Sequence, residues 1–182
     1  MVVGIILVVV IVLIVYVVST YNGLVVSRNK VKDQFSQIDV QLKRRFDLIP
    51  NLVETVKGYA KHESDTLESV IQARNNYATA KTATEKLEAS KEVSKGVMNI
   101  LALAESYPDL KANTNFIDLQ TQLKEVEDKI SYARQFYNDS VLMYNNKIET
   151  FPSNIVASMF GFKKEEFFEV DAKERENVQV KF

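Results

Sequence analysis

Few residues in this chain could do chemistry, and their spacing seldom matches what chemistry needs. His62-Glu63 is the start of a zinc-hydrolase pattern, which a second histidine four residues after the first must complete from the same helix face. Position 66 is Thr66, so the pair ends there. Asp39 with Asp47, or Glu54 with Glu63, supplies two carboxylates for acid/base work, but such work needs groups shielded from water with displaced pKa values. These four lie on a helical surface among Lys and Arg. Lys43-Arg44-Arg45 is the densest basic cluster. It would attract anionic headgroups only within a Debye length of a membrane. With Asp39 and Asp47 each four residues from Lys43, it reads as a solvated, paired face. Lys95-Gly96 lacks the glycine-rich turn after a strand that cradles phosphate. The Tyr and Phe residues recur at helical spacing, as core positions do, and not as a platform for stacking bases. Asn113, Asn115, Asn138, Asn145 and Asn146 fall near helix ends or inside a helix, where Asn is a poor former. They are either caps or specific packing on a seam. We assign no catalytic, cofactor-binding or metal-ligating residue, and expect no cofactor.

Composition narrows the classes further. The chain has 182 residues, a net charge of −1, no Cys, no Trp, one His, five Gly and three Pro. The absence of Cys excludes disulfides, thiolate-held zinc, iron–sulfur clusters and a thiol nucleophile. Scarce Gly and Pro argue against a sandwich or barrel, which need many tight turns. The near-zero net charge provides no electrostatic case for nucleic acid, and no small-molecule substrate is evident.

The elements that would position any site begin with a membrane segment. Every charged residue lies at or after Arg28, and Val2–Val18 is an apolar run broken by nothing more polar than Tyr16. Extended to Tyr21, it spans roughly 30 Å as a helix, the thickness of a hydrocarbon core. Val and Ile favour strands in water, but in lipid a lone segment must satisfy its own backbone, so it becomes helical. A cleavable signal peptide would need a basic start, a shorter apolar core and a small-residue cleavage site, and the run has none of these. Arg28, Lys30 and Lys32 follow it and no basic residue precedes it, which predicts the N-terminus outside and the remainder in the cytoplasm.

Beyond the anchor, Val31, Phe35, Ile38, Leu42, Phe46, Ile49, Val53, Val56 and Ala60 are spaced three or four apart. This is one helical stripe. Its phase carries through Pro50, which predicts one long helix over about 24–62 kinked there; Asp47 capping a fresh start is the alternative. The anchor is expected to run straight into it. Asp65 and Glu68 form the expected cap of the next helix, with Leu67, Val70, Arg74 and Tyr77 on its inner face. A second start at Thr82 or Thr84, with Glu85, leads to Val93, Val97, Ile100 and Ala104, so the middle element is one soft helix or two. Tyr107-Pro108-Asp109 is a stop and turn. The last long stripe runs Phe116, Leu119, Leu123, Val126, Ile130, Ala133, Tyr137, Val141, Tyr144, Ile148 and Phe151, and Pro152 ends it. Ser153–Phe160 is a short helix closed by Gly161. The apolar tail Ile155–Phe168 either docks something or covers the end of the bundle, and Val178–Phe182 alternates like a strand.

The expected fold is all-α: an elongated antiparallel helical bundle of three long helices, or four if the middle one splits, behind an N-terminal transmembrane helix. Residues 1–21 are the anchor, 22–151 the bundle and 152–182 a C-terminal extension.

Tyr21-Asn22-Gly23-Leu24-Val25 with Arg28-Asn29, Ile38-Asp39-Val40-Gln41-Leu42-Lys43-Arg44-Arg45, Asp47-Leu48-Ile49-Pro50-Asn51-Leu52-Val53, and Val56-Lys57-Gly58-Tyr59 with His62-Glu63 together resemble the LemA family. Tyr107-Pro108-Asp109-Leu110-Lys111-Ala112-Asn113, Ala133-Arg134, Tyr137-Asn138, Tyr144-Asn145 and Phe151-Pro152-Ser153-Asn154 continue the match over essentially the whole chain. The resemblance implies a bacterial single-pass membrane protein with a helical-bundle domain, a small outside N-terminus and no established enzymatic activity. The expected function is a membrane-anchored scaffold or interaction module, not an enzyme, whose partners are the lipid bilayer and other membrane or cytoplasmic proteins or itself. The runner-up is a non-catalytic regulatory subunit of a membrane-associated enzyme such as an envelope-stress protease.

Overall fold

The computed structural model describes residues 1–168; the strand expected at Val178–Phe182 lies outside them. The described residues form six helices and no strand, so the expectation of an all-α fold is met. The helices are α1 (Val2–Lys57), α2 (Ser64–Thr79), α3 (Ala83–Ala104), α4 (Pro108–Lys111), α5 (Thr114–Glu149) and α6 (Ser153–Met159). They sort into two compact units, one of Met1–Ser36 with Ala133–Phe182 and one of Gln37–Tyr132.

Two boundaries differ from those the sequence predicts, and the middle element takes the second of its two expected forms. α1 passes through Pro50 unbroken, as expected, and is continuous with the apolar segment, but it ends at Lys57 and not near residue 62; Gly58 and the turn that follows carry the chain away. α2 begins at Ser64 with Glu63 as its cap residue and without a side-chain cap bond, so Asp65 is already inside its first turn, where its charge suits the helix dipole. The middle element is two helices. Thr82 starts the second with a capping box: its hydroxyl accepts from the Glu85 N–H at 3.1 Å, while the Glu85 carboxylate accepts from the N–H groups of Lys81 and Thr82 at 2.8 and 3.2 Å. Those bonds, the Lys81 one first, hold the Glu85 carboxyl below its ordinary pKa.

In the Gln37–Tyr132 unit, α2 and α3 form an αα-hairpin across a three-residue connection. Gly96 permits the close approach, since a Cβ there would lie 2.7 Å from Val70 Cγ2. The core joins Ile49, Leu52, Val53 and Val56 of α1 to Leu67, Val70 and Ala73, to Val93, Val97, Ile100 and Ala104, and to Phe116 and Leu123 of α5. Tyr107-Pro108 is the expected stop, and Pro108 then opens α4 at a position that needs no N–H. Asn113 caps α5, its side-chain oxygen accepting from the Phe116 N–H at 3.0 Å while its amide donates to Tyr59 Oη at 2.8 Å.

Pro50 removes the N–H that would bond the Phe46 carbonyl four residues back. Arg74 of α2 reaches that carbonyl with its Nε at 3.4 Å and lays its guanidinium over the Phe46 ring at 3.9 Å.

In the other unit, the first part of α1 runs antiparallel to the last part of α5. Lys147 Nζ donates to Ser27 Oγ at 2.7 Å, and further along the Phe35 and Tyr137 rings meet at 6.1 Å. α5 stops at Glu149, before a cis Phe151–Pro152 bond. Phe151, expected on the inner stripe, is 79% exposed, because the helical phase that would have buried it ends two residues earlier. α6 closes as expected at Gly161 (φ +68°). The Phe162 N–H bonds the Ala157 carbonyl at 2.9 Å and the Gly161 N–H that of Ser158 at 3.3 Å, the paired bonds of a Schellman motif.

Candidate functional site

Two polar constellations are built with enough side chains to count as sites. The first centres on Arg45, expected on a solvated face but only 2% exposed. Residues 38, 42, 45, 49, 52 and 56 form an unbroken stripe of three- and four-residue steps, and all six are buried. The spacing therefore marks position 45 as interior, although its charge suits a surface. Its guanidinium donates through Nη1 to Ser94 Oγ at 2.6 Å and Glu127 Oε2 at 2.8 Å, and through Nη2 to the Ser90 carbonyl at 2.8 Å. A buried cation needs this many acceptors to offset its lost hydration. Lys43 and Arg44 behave as expected, Lys43 pairing with Asp47 at 3.5 Å and Arg44 being exposed.

Beside it, Asp39 does not pair with Lys43. Its carboxylate accepts from Lys86 Nζ at 2.8 Å and from Tyr77 Oη at 3.1 Å. Burial, then the Asp39 charge, pushes the Tyr77 phenol well above its ordinary pKa. These groups tie α1 to α2, α3 and α5. The remaining carboxylates considered for acid/base work are dispersed. Glu54 pairs with Lys57 at 3.6 Å, and Glu63 accepts from Tyr107 Oη at 3.1 Å. His62 is exposed in the turn after α1. Among the described residues no group of three or more His, Asp or Glu is placed to hold a metal ion.

The second constellation clasps the tail. After Gly161 the chain runs extended along α5, burying Phe162 and Phe168. The Asn145 amide both donates to the Glu165 carbonyl and accepts from its N–H, at 2.9 and 3.0 Å. Asn138 does the same with Phe168, at 3.0 and 2.7 Å. Tyr144 Oη donates to the Lys163 carbonyl and Tyr137 Oη to that of Glu166, each at 3.0 Å. The geometry explains the repeated Tyr-Asn pair. Seven helical residues rise about 10.5 Å, and three extended residues cover about 10 Å. One heptad of α5 therefore matches three residues of tail, and both pairs engage at once. Each amide serves its backbone partner as a neighbouring strand would. Of the five Asn residues singled out, Asn138 and Asn145 are thus specific packing and Asn113 is a cap, while Asn115 and Asn146 are exposed. The tail question is answered in part: Phe162 and Phe168 cover the unit, while Ile155, Met159, Phe160 and Phe167 stay exposed.

Apolar side chains are exposed as well. A window of 18 residues in α1 has a mean hydropathy of 3.4 and is unburied by the other described residues, so α1 is long and apolar enough to cross a membrane. On α5, Phe136, Leu142 and Met143 are each at least half exposed.

The family model described as LemA family matches residues 34–182. Protein LemA of Metamycoplasma hominis is 29% identical over 162 residues, covering 87% of this chain and 73% of that protein. Magnetosome protein MamQ 2 of Paramagnetospirillum magneticum is 25% identical, over 82% of this chain and 64% of its own length. Magnetosome protein MamQ of Magnetospirillum gryphiswaldense is 24% identical, over 81% of this chain and likewise 64% of its own.

Proposed function

The chain belongs to the LemA family, and we propose that it is a single-pass membrane protein that presents helical interaction surfaces to the cytoplasm and works by binding, without chemistry of its own. In this reading residues 1–21 are the anchor, 22–151 the bundle and 152–182 an extension. The observation that supports it best is the continuity of α1, one helix from Val2 to Lys57. Its first part is uniformly apolar and exposed, and its later part contributes Ile49, Leu52 and Val56 to a core. A helix that continues without a break from the apolar segment suits a tether or scaffold. The polar groups most suited to catalysis are already engaged with one another: Asp39 with Lys86 and Tyr77, and Arg45 with Ser94, Glu127 and Ser90. Phe136, Leu142 and Met143 are the apolar groups on α5 that a protein partner or a second copy would cover.

The absence of Cys from the sequence makes single-cysteine labelling clean. Val2→Cys is expected to react with an impermeant maleimide on intact cells, and Arg44→Cys only after permeabilisation. The opposite pattern would overturn the orientation. A photo-crosslinker at Met143 in native membranes is expected to yield a discrete protein adduct, and its complete failure to do so would remove the interaction role from this face.

A further inference from the structure

The exposed end of α6 lies where the membrane segment ends. Phe160 packs its ring 4.8 Å from that of Tyr21, and Phe162 lies 5.7 Å from the same ring. Tyr21 is the last residue of the segment read as spanning the hydrocarbon, and the first charge comes one heptad later, at Arg28. A heptad of helix rises about 10.5 Å, comparable to the headgroup layer on one side of a bilayer. Phe160 is therefore held at the border between acyl chains and headgroups, the depth at which aromatic rings are favoured. On α6, Ile155 and Met159 are 54% and 64% exposed, and Phe151, just before the helix, is 79% exposed. Ile155 and Met159 are one turn apart on the same face of α6. Lys163 and Lys164 follow directly after Phe162, and the Arg28 guanidinium sits over the Phe162 ring at 5.1 Å. Apolar side chains at this depth, edged by cations, are the arrangement of an interfacial helix.

We propose that α6 is a second membrane contact: Ile155, Met159 and Phe160 insert into the interfacial layer of the bilayer beside the anchor, and lipid is what covers this apolar patch. The inference rests on the anchor reading made above. It gives the molecule two attachment points on one surface, and α6 then fixes the rotation of α1 about its axis, which a single spanning helix cannot do.

The sequence contains no Trp, so single Trp reporters can be read without background. Full-length Val10→Trp, Ile155→Trp and Ser36→Trp would be reconstituted into phosphatidylethanolamine/phosphatidylglycerol vesicles whose acyl chains carry bromine near the headgroup or near the bilayer centre. Val10→Trp reports the anchor and is expected to be quenched by the deep bromines. Ile155→Trp is expected to be blue-shifted and quenched severalfold more by the shallow bromines than by the deep ones. Ser36→Trp, about 22 Å further along α1 than Tyr21, is expected to respond to aqueous acrylamide and not to bromine. If Ile155→Trp instead matches Ser36→Trp while Val10→Trp keeps its lipid quenching, the second contact is wrong and the anchor stands. If Ile155→Trp is blue-shifted yet insensitive to bromine, protein and not lipid covers the patch, and the proposal fails. Loss of lipid quenching at Val10→Trp would overturn the anchor and the inference together.

Discussion

Arg74 donates its Nε–H to the carbonyl oxygen of Phe46, the one acceptor in this stretch of α1 that Pro50 deprives of its helical partner. A proline inside a helix normally costs about 3 kcal/mol, from a lost bond and a steric clash with the carbonyl four residues back. Here a side chain from the neighbouring helix returns part of that cost, and the guanidinium adds a stacking contact on the Phe46 ring.

The consequence is a coupling that a double-mutant cycle can measure. Arg74→Met is expected to destabilise the protein by about 1–2 kcal/mol, combining a long hydrogen bond with a partly exposed cation–π contact. In a Pro50→Ala background the Phe46 carbonyl regains its own helical N–H, so the same substitution should cost less. Equal costs of Arg74→Met in the two backgrounds, measured by chemical denaturation, would show that Arg74 acts only by stacking.

Arg45 leads to a different ordering. Removing an acceptor from a buried cation leaves an uncompensated charge, whereas replacing the cation by an apolar side chain of similar length removes the need for the acceptors. Glu127→Ala should therefore destabilise more than Arg45→Met. Because the Glu127 side chain is 45% exposed, water replaces part of what is lost and the penalty should be reduced to about 1–3 kcal/mol. The check is the order of thermal midpoints: wild type highest, then Arg45→Met, then Glu127→Ala. The reverse order of the two variants would mean that the guanidinium's packing outweighs its charge.

Gly96 isolates a steric effect from helix propensity. In an unconstrained helix Gly→Ala gains about 0.5–1 kcal/mol. The added Cβ would meet the stiff Val70 side chain at 2.7 Å and its Cα at 3.4 Å, so Gly96→Ala should instead lose about 1–3 kcal/mol through overpacking. Val70→Ala in the same chain removes the nearest atom and should recover part of the loss. A Gly96→Ala variant more stable than wild type would show that α2 and α3 separate freely.

The sequence carried the helices and most of the buried stripe because both follow from periodicity alone. What it concealed were the places where chemistry and pattern disagree. Arg45 has the spacing of a core residue and the charge of a surface one, and pairing partners 49 and 82 residues away in sequence decide the matter. Asp39 lies one turn from Lys43, yet Lys86 and Tyr77, brought by folding, take it. Phe151 lost its inner position because α5 stops at Glu149. The role of Asn138 and Asn145 was open because their partners are tail backbone atoms, which carry no residue-type signal. Only the recurrence of Tyr-Asn one heptad apart marked the place.

That clasp makes the tail sensitive to alkali. Burial first, then the nearby Glu165 carboxylate, raises the pKa of both Tyr137 and Tyr144, with Glu166 adding to the effect on Tyr137 and Arg28 opposing it on Tyr144. A group whose folded pKa exceeds its unfolded value stabilises the fold below the unfolded value, near 10, and that contribution is lost as pH rises through the folded value. Ionisation also removes the proton that each phenol donates to a tail carbonyl, leaving an anion facing an acceptor. The tail should therefore release in the window just above the ordinary tyrosine pKa, seen as faster hydrogen exchange or proteolysis within residues 162–168 while α5 stays helical. Tyr137→Phe with Tyr144→Phe should loosen the tail already at neutral pH and reduce the late-titrating tyrosinate absorbance, leaving the part due to Tyr77 and Tyr107. Asn145→Ala, which leaves both backbone groups of Glu165 without their partner, should cost about 1–3 kcal/mol of local stability without altering that absorbance step at Tyr137. If tail protection does not change between neutral pH and the tyrosine window, the phenol bonds do not hold the tail, and the two amides together with the buried Phe162 and Phe168 do so alone.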